Sequence, residues 1–395
     1  MTTKVLLRAP LLTNSGYGVH SRQVFSWLYH REDVELTVEC LNWGRTSWVL
    51  DGDKENGLYR KIMSCSNPVT PGSYDVSFQV ILPDEWNTEY ATKNVGVTAL
   101  VETDRCTARW VEKCNKMDVV VLPSQFTLDV LKRSGPVTTE TLVIPEWFNG
   151  DLLDRSKMSK TQSDKRYDTI KTDFNVLTIG ALTSLKKEDD RKNTENTLKW
   201  LFEEFSDEED VGVVIKTTMG KGSESDKQLC RDYLKSAVNN YRKGEFPKVY
   251  LIHGNMDKEE VAGLVSHRKI KLYATATRGE GYGLPLVEAA AAGVPIVATG
   301  WSGHLQFLQK ENFGVVDYDL VEISETKVDE RIFKKGFKWA EPSEESFKRE
   351  VRKAFENYED AKAKAKNLKK HIQFNYNSAI IKKQYDKLLE KVLEK

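Results

Sequence analysis

The sequence predicts an α/β protein of two similar-sized domains, each carrying a parallel sheet covered by helices on both faces. Three observations lead there. Short apolar runs of strand type alternate with helical patterns up to Pro145. A second alternating set begins at residue 174, and a polar, highly charged stretch separates the two.

The first set opens with the apolar run Val5 to Arg8. The turn-rich segment "TNSGYGVHSR" and a helical pattern through Val24, Phe25, Trp27 and Leu28 follow, giving strand, glycine loop, helix. Further strand-type runs are "YDVSFQVI" (74–81), "VGVTALV" (95–101), "DVVVLP" (118–123) and "TLVIP" (141–145), with helical patterns such as "FTLDVLKRSG" between several of them. Residues 150–172, "GDLLDRSKMSKTQSDKRYDTIKT", lack clear periodicity and read as a linker or solvated surface excursion.

The second set runs "FNVLTIG" (174–180), a helix through "TENTLKWLFEEF", then "VGVVIKT" (211–217), "KVYLIHG" (248–254), "IKLYATAT" (270–277), a helix beginning near Pro285, and "VPIVATG". Near the carboxyl end Ile381, Tyr385, Leu388 and Val392 form the stripe of an amphipathic helix, whose apolar face must be buried. The expected divisions are 1–150, 172–372 and a final helix within 373–395. No repeat recurs at a period of roughly 20 to 50 residues, which argues against a solenoid.

Composition narrows the class. The chain has 395 residues, 39% apolar and 30% charged, enough for sizeable cores. Lys+Arg and Asp+Glu balance at 59 each, so no global field advertises DNA or an anionic membrane, which weakens a nucleic-acid partner without excluding it. No run approaches the ~18 apolar residues of a membrane span, and "MTTKVLLRAPLLTNSGYG" lacks the order of a secretion signal, so a soluble, cytoplasmic protein is expected. The cysteines (Cys40, Cys65, Cys106, Cys114, Cys230) are scattered and odd in number, which suits reduced thiols in packing positions. Lys362, Lys364, Lys366, Lys369 and Lys370, with glutamates nearby, read as a solvated helix face.

The stretch "EGYGLPLVEAAAAGVPIVATG", residues 280–300, carries the chemistry. Pro285 suits a first helical turn, because its fixed φ and missing N–H cost nothing there. The reading therefore places Glu280 in the preceding loop and Glu288 in the first turn. Glycines at 281 and 283 let backbone approach a ligand, and a helix start offers unpaired N–H groups to phosphate oxygens. The carboxylates are then left to accept hydrogen bonds from neutral hydroxyls, as on a ribose or sugar. Acidic residues in a first helical turn also favour the helix dipole with no ligand at all, and "EAAAAG" is a good helix with a glycine stop, so spacing alone does not decide.

The whole string does. "RGEGYGLPLVEAAAAGVPIVAT" resembles the Glu-x7-Glu signature of retaining nucleotide-sugar glycosyltransferases of family 4. "GALTSLKKEDDRKNTENTLKWLFEEF" resembles that family's phosphate-binding segment, "WSGHLQFL" its following loop, and "MDVVVLPSQFTLDVLKRSG" a recurrent piece of its amino-terminal domain. The resemblance implies a glycosyltransferase B fold, two Rossmann-like domains facing a central cleft, with the final helix returning to the amino-terminal domain.

It also implies roles. Glu288 would accept hydrogen bonds from the donor's ribose, Glu280 would lie by the transferred sugar, and Gly281, Tyr282, Gly283 and Leu284 would offer backbone N–H groups to the diphosphate or sugar. Lys192 of "DRKN" would neutralise the departing diphosphate. Many members have an arginine after the glycine that ends the domain's first strand; Ala181 stands there, and Arg191 is the substitute, with Lys186 and Lys187 as rivals to Lys192. Gly16 and Gly18, in the loop after the first strand, would approach the donor phosphates. Where many members place a histidine near the reacting sugar, "VETDRC" offers Glu102 and Asp104. His20 and His253 are expected to have no chemical duty.

The scheme needs no metal and no cofactor beyond a nucleotide-diphosphate sugar as donor, with a carbohydrate or other hydroxyl compound as acceptor. The pairs Asp51/Asp53 and Asp317/Asp319 spell D-x-D, the metal motif of a different glycosyltransferase fold, and read as turn carboxylates. The expected activity is sugar transfer with retention at the anomeric carbon. The alternatives are a nucleotide-sugar 2-epimerase and a catalytically silent interaction subunit.

Overall fold

The computed structural model describes residues 2–44, 46–154 and 167–394; most of the charged linker stretch, 155–166, lies outside the described residues. The chain divides into two units, one made of 1–147 with 378–395 and the other of 148–377.

The amino-terminal unit contains β1 (Thr3–Ala9), α1 (Gly16–Tyr29), β2 (Val34–Cys40), α2 (Lys54–Ser64), β3 (Tyr74–Val80), β4 (Ala91–Val97), α3 (Ala108–Cys114), β5 (Val119–Leu122), α4 (Gln125–Ser134) and β6 (Glu140–Val143). Its six strands are all parallel, in the order β2-β1-β3-β4-β5-β6. The central strands are apolar on both faces, as a sheet covered twice requires. β2 is an edge strand with Glu35 and Glu39 in its alternation, and it has no counterpart among the sequence-predicted runs. The run predicted over 95–101 is displaced: β4 begins at Ala91 and ends at Val97. Its polar start is accommodated because the buried Asn94 amide donates to the Ala91 and Thr88 carbonyls and accepts from Ser77.

In the second unit come β7 (Phe174–Ala181), α5 (Thr194–Glu204), β8 (Val211–Thr218), α6 (Glu224–Tyr241), β9 (Lys248–His253), α7 (Lys258–Ser266), β10 (Ile270–Thr275), α8 (Leu284–Ala292), β11 (Ile296–Thr299) and β12 (Gly314–Val316). The hairpin β13 (Tyr318–Glu322) and β14 (Lys338–Pro342) follows, then α9 (Glu344–Glu356) and α10 (Tyr358–Asn375). The six-stranded parallel sheet has the order β12-β11-β10-β7-β8-β9. Leu177, Val214, Tyr273 and Ala298 pack on one face and Val176, Val213, Ile215 and Leu272 on the other, the two-residue alternation of strands buried on both sides.

The last helix, α11 (Ser378–Glu394), belongs to the amino-terminal unit. Ile381, Tyr385, Leu388, Leu389 and Val392 enter the same core as Val24, Phe25, Trp27 and Leu28 of α1. The Trp27 indole donates to Asp386 at 2.8 Å, and His20 Nε2 lies 3.2 Å from the Tyr385 hydroxyl. Burial pushes the His20 imidazole down to about 4, so it is a neutral packed side chain at physiological pH.

All five cysteines are free thiols, three of them buried. Among the described residues no helix is long and apolar enough to cross a membrane.

Candidate functional site

In a doubly wound parallel sheet, the loops at the carboxyl ends of strands flanking the reversal of strand order form a natural crevice. In the second unit that reversal lies between β10 and β7. The loops after these strands carry "DRKN" and "RGEGYG", and hydrogen bonds lock them together. The Arg278 amide donates to the Arg191 carbonyl at 2.8 Å, and the Asn193 side chain donates to the Ala276 carbonyl at 3.0 Å.

Glu280 is buried at this junction. Lys192 Nζ lies 2.5 Å from one carboxylate oxygen and Arg191 donates to the other at 3.3 Å. Thr277 places its hydroxyl 3.1 Å from the first oxygen. Burial alone would raise the Glu280 carboxyl, but the Lys192 ammonium and the Arg191 guanidinium outweigh it and hold it at about 2. Glu280 is thus a fixed carboxylate at any working pH, and the three groups together carry a net single positive charge.

A second layer fixes this arrangement. The Glu280 amide donates to the Ser302 hydroxyl at 2.9 Å, and the Gly303 amide donates to the Glu280 carbonyl at 2.8 Å. A Cβ at position 303 would lie 2.0 Å from the Gly281 carbonyl oxygen, so only glycine lets these loops touch. His304 is buried and bonded through Nε2 to the Thr299 carbonyl at 2.7 Å; burial lowers its pKa and keeps it neutral. Arg278, also buried, donates to the carbonyls of Lys187 and Asp190 at 2.8 Å each and pairs with Glu341 of β14 at 2.9 Å.

The helix start differs from the sequence reading in one respect. Gly283 adopts φ 103° and caps α8, so the helix begins at Leu284 with Pro285 second. Glu288 is its fifth residue and lies past the first turn, where the dipole effect has faded. The amides of Leu286 and Val287 already donate to the Gly283 carbonyl. Among the described residues those of Gly283 and Leu284 have no protein partner and face no competition from Pro285, which lacks an N–H. The Tyr282 ring is buried against Phe307 and takes no part in the loop surface.

Both oxygens of the partly buried Glu288 carboxylate accept from the Asn149 amide, at 3.0 and 3.1 Å. Burial pushes this carboxyl up to about 8; the Asn149 amide and Lys258 oppose the rise, and Asp151 adds to it.

Of the other sequence candidates, Lys186 is exposed and Lys187 serves the site through its carbonyl. Ala181 is exposed, and Arg191 supplies the guanidinium at Glu280. Gly16 and Gly18 are in the amino-terminal unit and are not loop residues: they open α1, because the Ser15 hydroxyl caps the Gly18 amide at 2.9 Å. Gly18 packs so closely on Thr13 that a Cβ would lie 2.1 Å from its carbonyl oxygen, whereas Gly16 faces open space. Between them, Tyr17 bonds the Thr98 hydroxyl at 2.8 Å and receives the Ala99 amide at 2.9 Å, which ties this helix start to the loop that carries Glu102. Burial raises the Tyr17 phenol, and Glu102 contributes to the rise. Asp104 pairs with Arg105 at 3.2 Å.

Asp53 is paired with Arg60, and Asp317 with Arg349 at 3.3 Å. Among the described residues no cluster of three or more His, Cys, Asp or Glu side chains is arranged to hold a metal ion. Sequence reasoning missed Arg278, Thr277, Ser302, His304 and Asn149; their neighbours signal the motif, but their roles arise from loop contacts over long sequence separations.

Residues 248–380 match the family described as family 4 glycosyltransferase in conflict systems. No curated protein sequence matches the chain significantly. Solved structures match over nearly its whole length. HepE of Anabaena, determined with UDP and glucose, shares 12% identity at a TM-score of 0.68, covering 98% of this chain and 100% of its own. Sucrose-phosphate synthase of Thermosynechococcus elongatus shares 13% at 0.64, with 99% of each chain covered. A UDP-forming trehalose-phosphate synthase of Burkholderia xenovorans, determined with glucose-6-phosphate, shares 10% at 0.63, covering 99% of this chain and 100% of its own. The fold is the glycosyltransferase B fold.

Proposed function

We infer, from the glycosyltransferase B fold of the whole chain and the family 4 glycosyltransferase match over 248–380, that this protein transfers a sugar from a nucleotide-diphosphate sugar to a hydroxyl acceptor. The observation that carries the reading is the buried Glu280–Lys192–Arg191 cluster beside the uncommitted amides of Gly283 and Leu284.

The chemistry follows from charge. Breaking the bond between the anomeric carbon and the diphosphate leaves negative charge on phosphate oxygens and a cationic sugar. Lys192 and Arg191 sit ready for the former, held by a carboxylate that stays ionised, so stabilisation needs no rearrangement as the charge grows. The helix start adds N–H donors for the diphosphate. Glu280 would lie by the transferred sugar, as the family resemblance implies, and Glu288 would accept hydrogen bonds from ribose hydroxyls in place of the Asn149 amide. Retention at the anomeric carbon, with the acceptor attacking the face the leaving group departs and a phosphate oxygen helping to take its proton, is part of this reading, as is independence from metal. Both rest on the family resemblance. A UDP-sugar is the first donor to try, because HepE was solved with UDP-glucose.

A thermal-shift panel of UDP-, GDP- and ADP-sugars tests the reading. A rise in melting temperature with one base class, weakened in Glu288→Ala, is expected. Absence of any shift, or an epimerised nucleotide sugar formed from donor alone, would overturn it.

A further inference from the structure

Lys216, in the last turn of the pleat of β8, is mostly withdrawn from water, yet among the described residues it makes no hydrogen bond and no ion pair. The opposing charge that acts on it is Glu260, whose carboxylate is committed to the Asp257 amide at 3.0 Å in the cap of α7. Burial lowers the Lys216 pKa, the mark of an ammonium that lacks compensation. Next in sequence, the Thr217 hydroxyl is buried with no hydrogen-bond partner.

These two residues line one recess at the carboxyl ends of β7, β8 and β10, together with Lys192, Thr178, Thr194 and Thr275. Two ammoniums and a set of hydroxyls with no carboxylate in the lining describe a place for an anion. The charge balance of the neighbouring cluster points the same way. Lys192 and Arg191 against Glu280 leave a net single positive charge, whereas a departing diphosphate carries about two negative charges or more.

We propose that Lys216 and Thr217 extend the Lys192 cluster into a two-lysine anion site that grips the diphosphate of the donor, with Lys216 the cation that completes its neutralisation. The proposal rests on the glycosyl-transfer reading above. Lys216 binds phosphate oxygens directly, and Thr217 donates its unpaired hydroxyl to the same group. The site sits at the strand ends rather than at the helix start, so it is a contact additional to the Gly283 and Leu284 amides.

Titration calorimetry with the full chain tests this, using inorganic pyrophosphate and the nucleoside diphosphates UDP, GDP and ADP, with the matching nucleosides as phosphate-free controls. Lys216→Met is expected to weaken pyrophosphate and the preferred nucleoside diphosphate by about ten- to hundredfold, and Thr217→Val by severalfold, with nucleoside affinity unchanged. The ligand-free melting temperature of Lys216→Met is expected to rise, since an uncompensated buried charge is removed; a lysine kept for structure would lower it. If the wild type binds a nucleoside diphosphate and Lys216→Met binds it equally well, this proposal alone is overturned. If the wild type binds none of the three, the glycosyl-transfer reading falls and the proposal with it.

Discussion

One backbone amide, that of Asn149, serves both oxygens of the Glu288 carboxylate, at 3.0 and 3.1 Å. A single neutral donor does not offset the loss of water, and the carboxyl is held near 8. Ribose hydroxyls are better received by the ionised form, so below pH 8 donor binding releases a proton. Nucleoside diphosphate affinity should therefore rise between pH 6 and 8 by up to about tenfold per pH unit, then level off. Calorimetry across that range checks it; a slope that survives in Glu288→Gln would reject the assignment. The sign for stability is opposite. A carboxyl raised in the folded state favours folding most below its ordinary value of 4.5, and that contribution fades as pH climbs to 8.

Lys192→Met should act on stability and turnover together. Glu280 sits at about 2 because of its cations, so its contribution is present above pH 4.5 and is lost as pH falls towards 2. Removing Lys192 leaves Arg191 as the main compensation for a buried carboxylate, at a cost of about 1–3 kcal/mol at neutral pH. Turnover should fall by about a hundred- to thousandfold. Denaturant titration and a transfer assay measure the two effects; unchanged turnover would remove Lys192 from the chemistry.

Gly303→Ala introduces a methyl group where the Gly281 carbonyl oxygen would be 2.0 Å away. The loops must separate, with an expected loss of about 1–3 kcal/mol and of donor binding. Ala substitution at Gly16, where nothing lies within 4 Å, is the matched control and should be nearly silent in stability.

Arg278→Lys keeps the charge but not the fork that reaches the Lys187 and Asp190 carbonyls and Glu341 at once. Because those carbonyls belong to the loop bearing Lys192, kcat should fall by about tenfold while the fold persists. Circular dichroism alongside steady-state kinetics checks this, and a defect confined to KM would contradict it.

Leu388→Ala should cost about 2–5 kcal/mol, since the side chain is fully buried in the amino-terminal core. Hydrogen exchange should place the loss in residues 1–147 and spare 148–377.

The twofold α/β pattern was legible because strands covered on both faces must be apolar throughout, as in "DVVVLP" and "VGVVIKT". β2 was not, because an edge strand tolerates Glu35 and Glu39, and the hairpin β13–β14 was not, because its alternation carries Asp319, Glu322 and Lys338. Within the site, Glu280, Lys192 and Arg191 announce themselves through their motifs. Glu288 lies one residue deeper in the helix than a start at Pro285 suggests, because Gly283, in its left-handed conformation, caps the helix and lets it begin at Leu284. Arg278 and Ser302 were invisible for a different reason: each acts only when segments some twenty to ninety residues apart meet, about the scale at which local pattern carries no information.

Because α11 supplies Ile381, Tyr385 and Leu388 to the core laid down by α1, that core cannot close during synthesis until the helix has left the ribosome. The segment 148–377 holds its own two cores and can mature while its predecessor still waits. The part of the chain translated first is therefore finished last, and a nascent chain stalled before residue 378 would present an open apolar seam to chaperones.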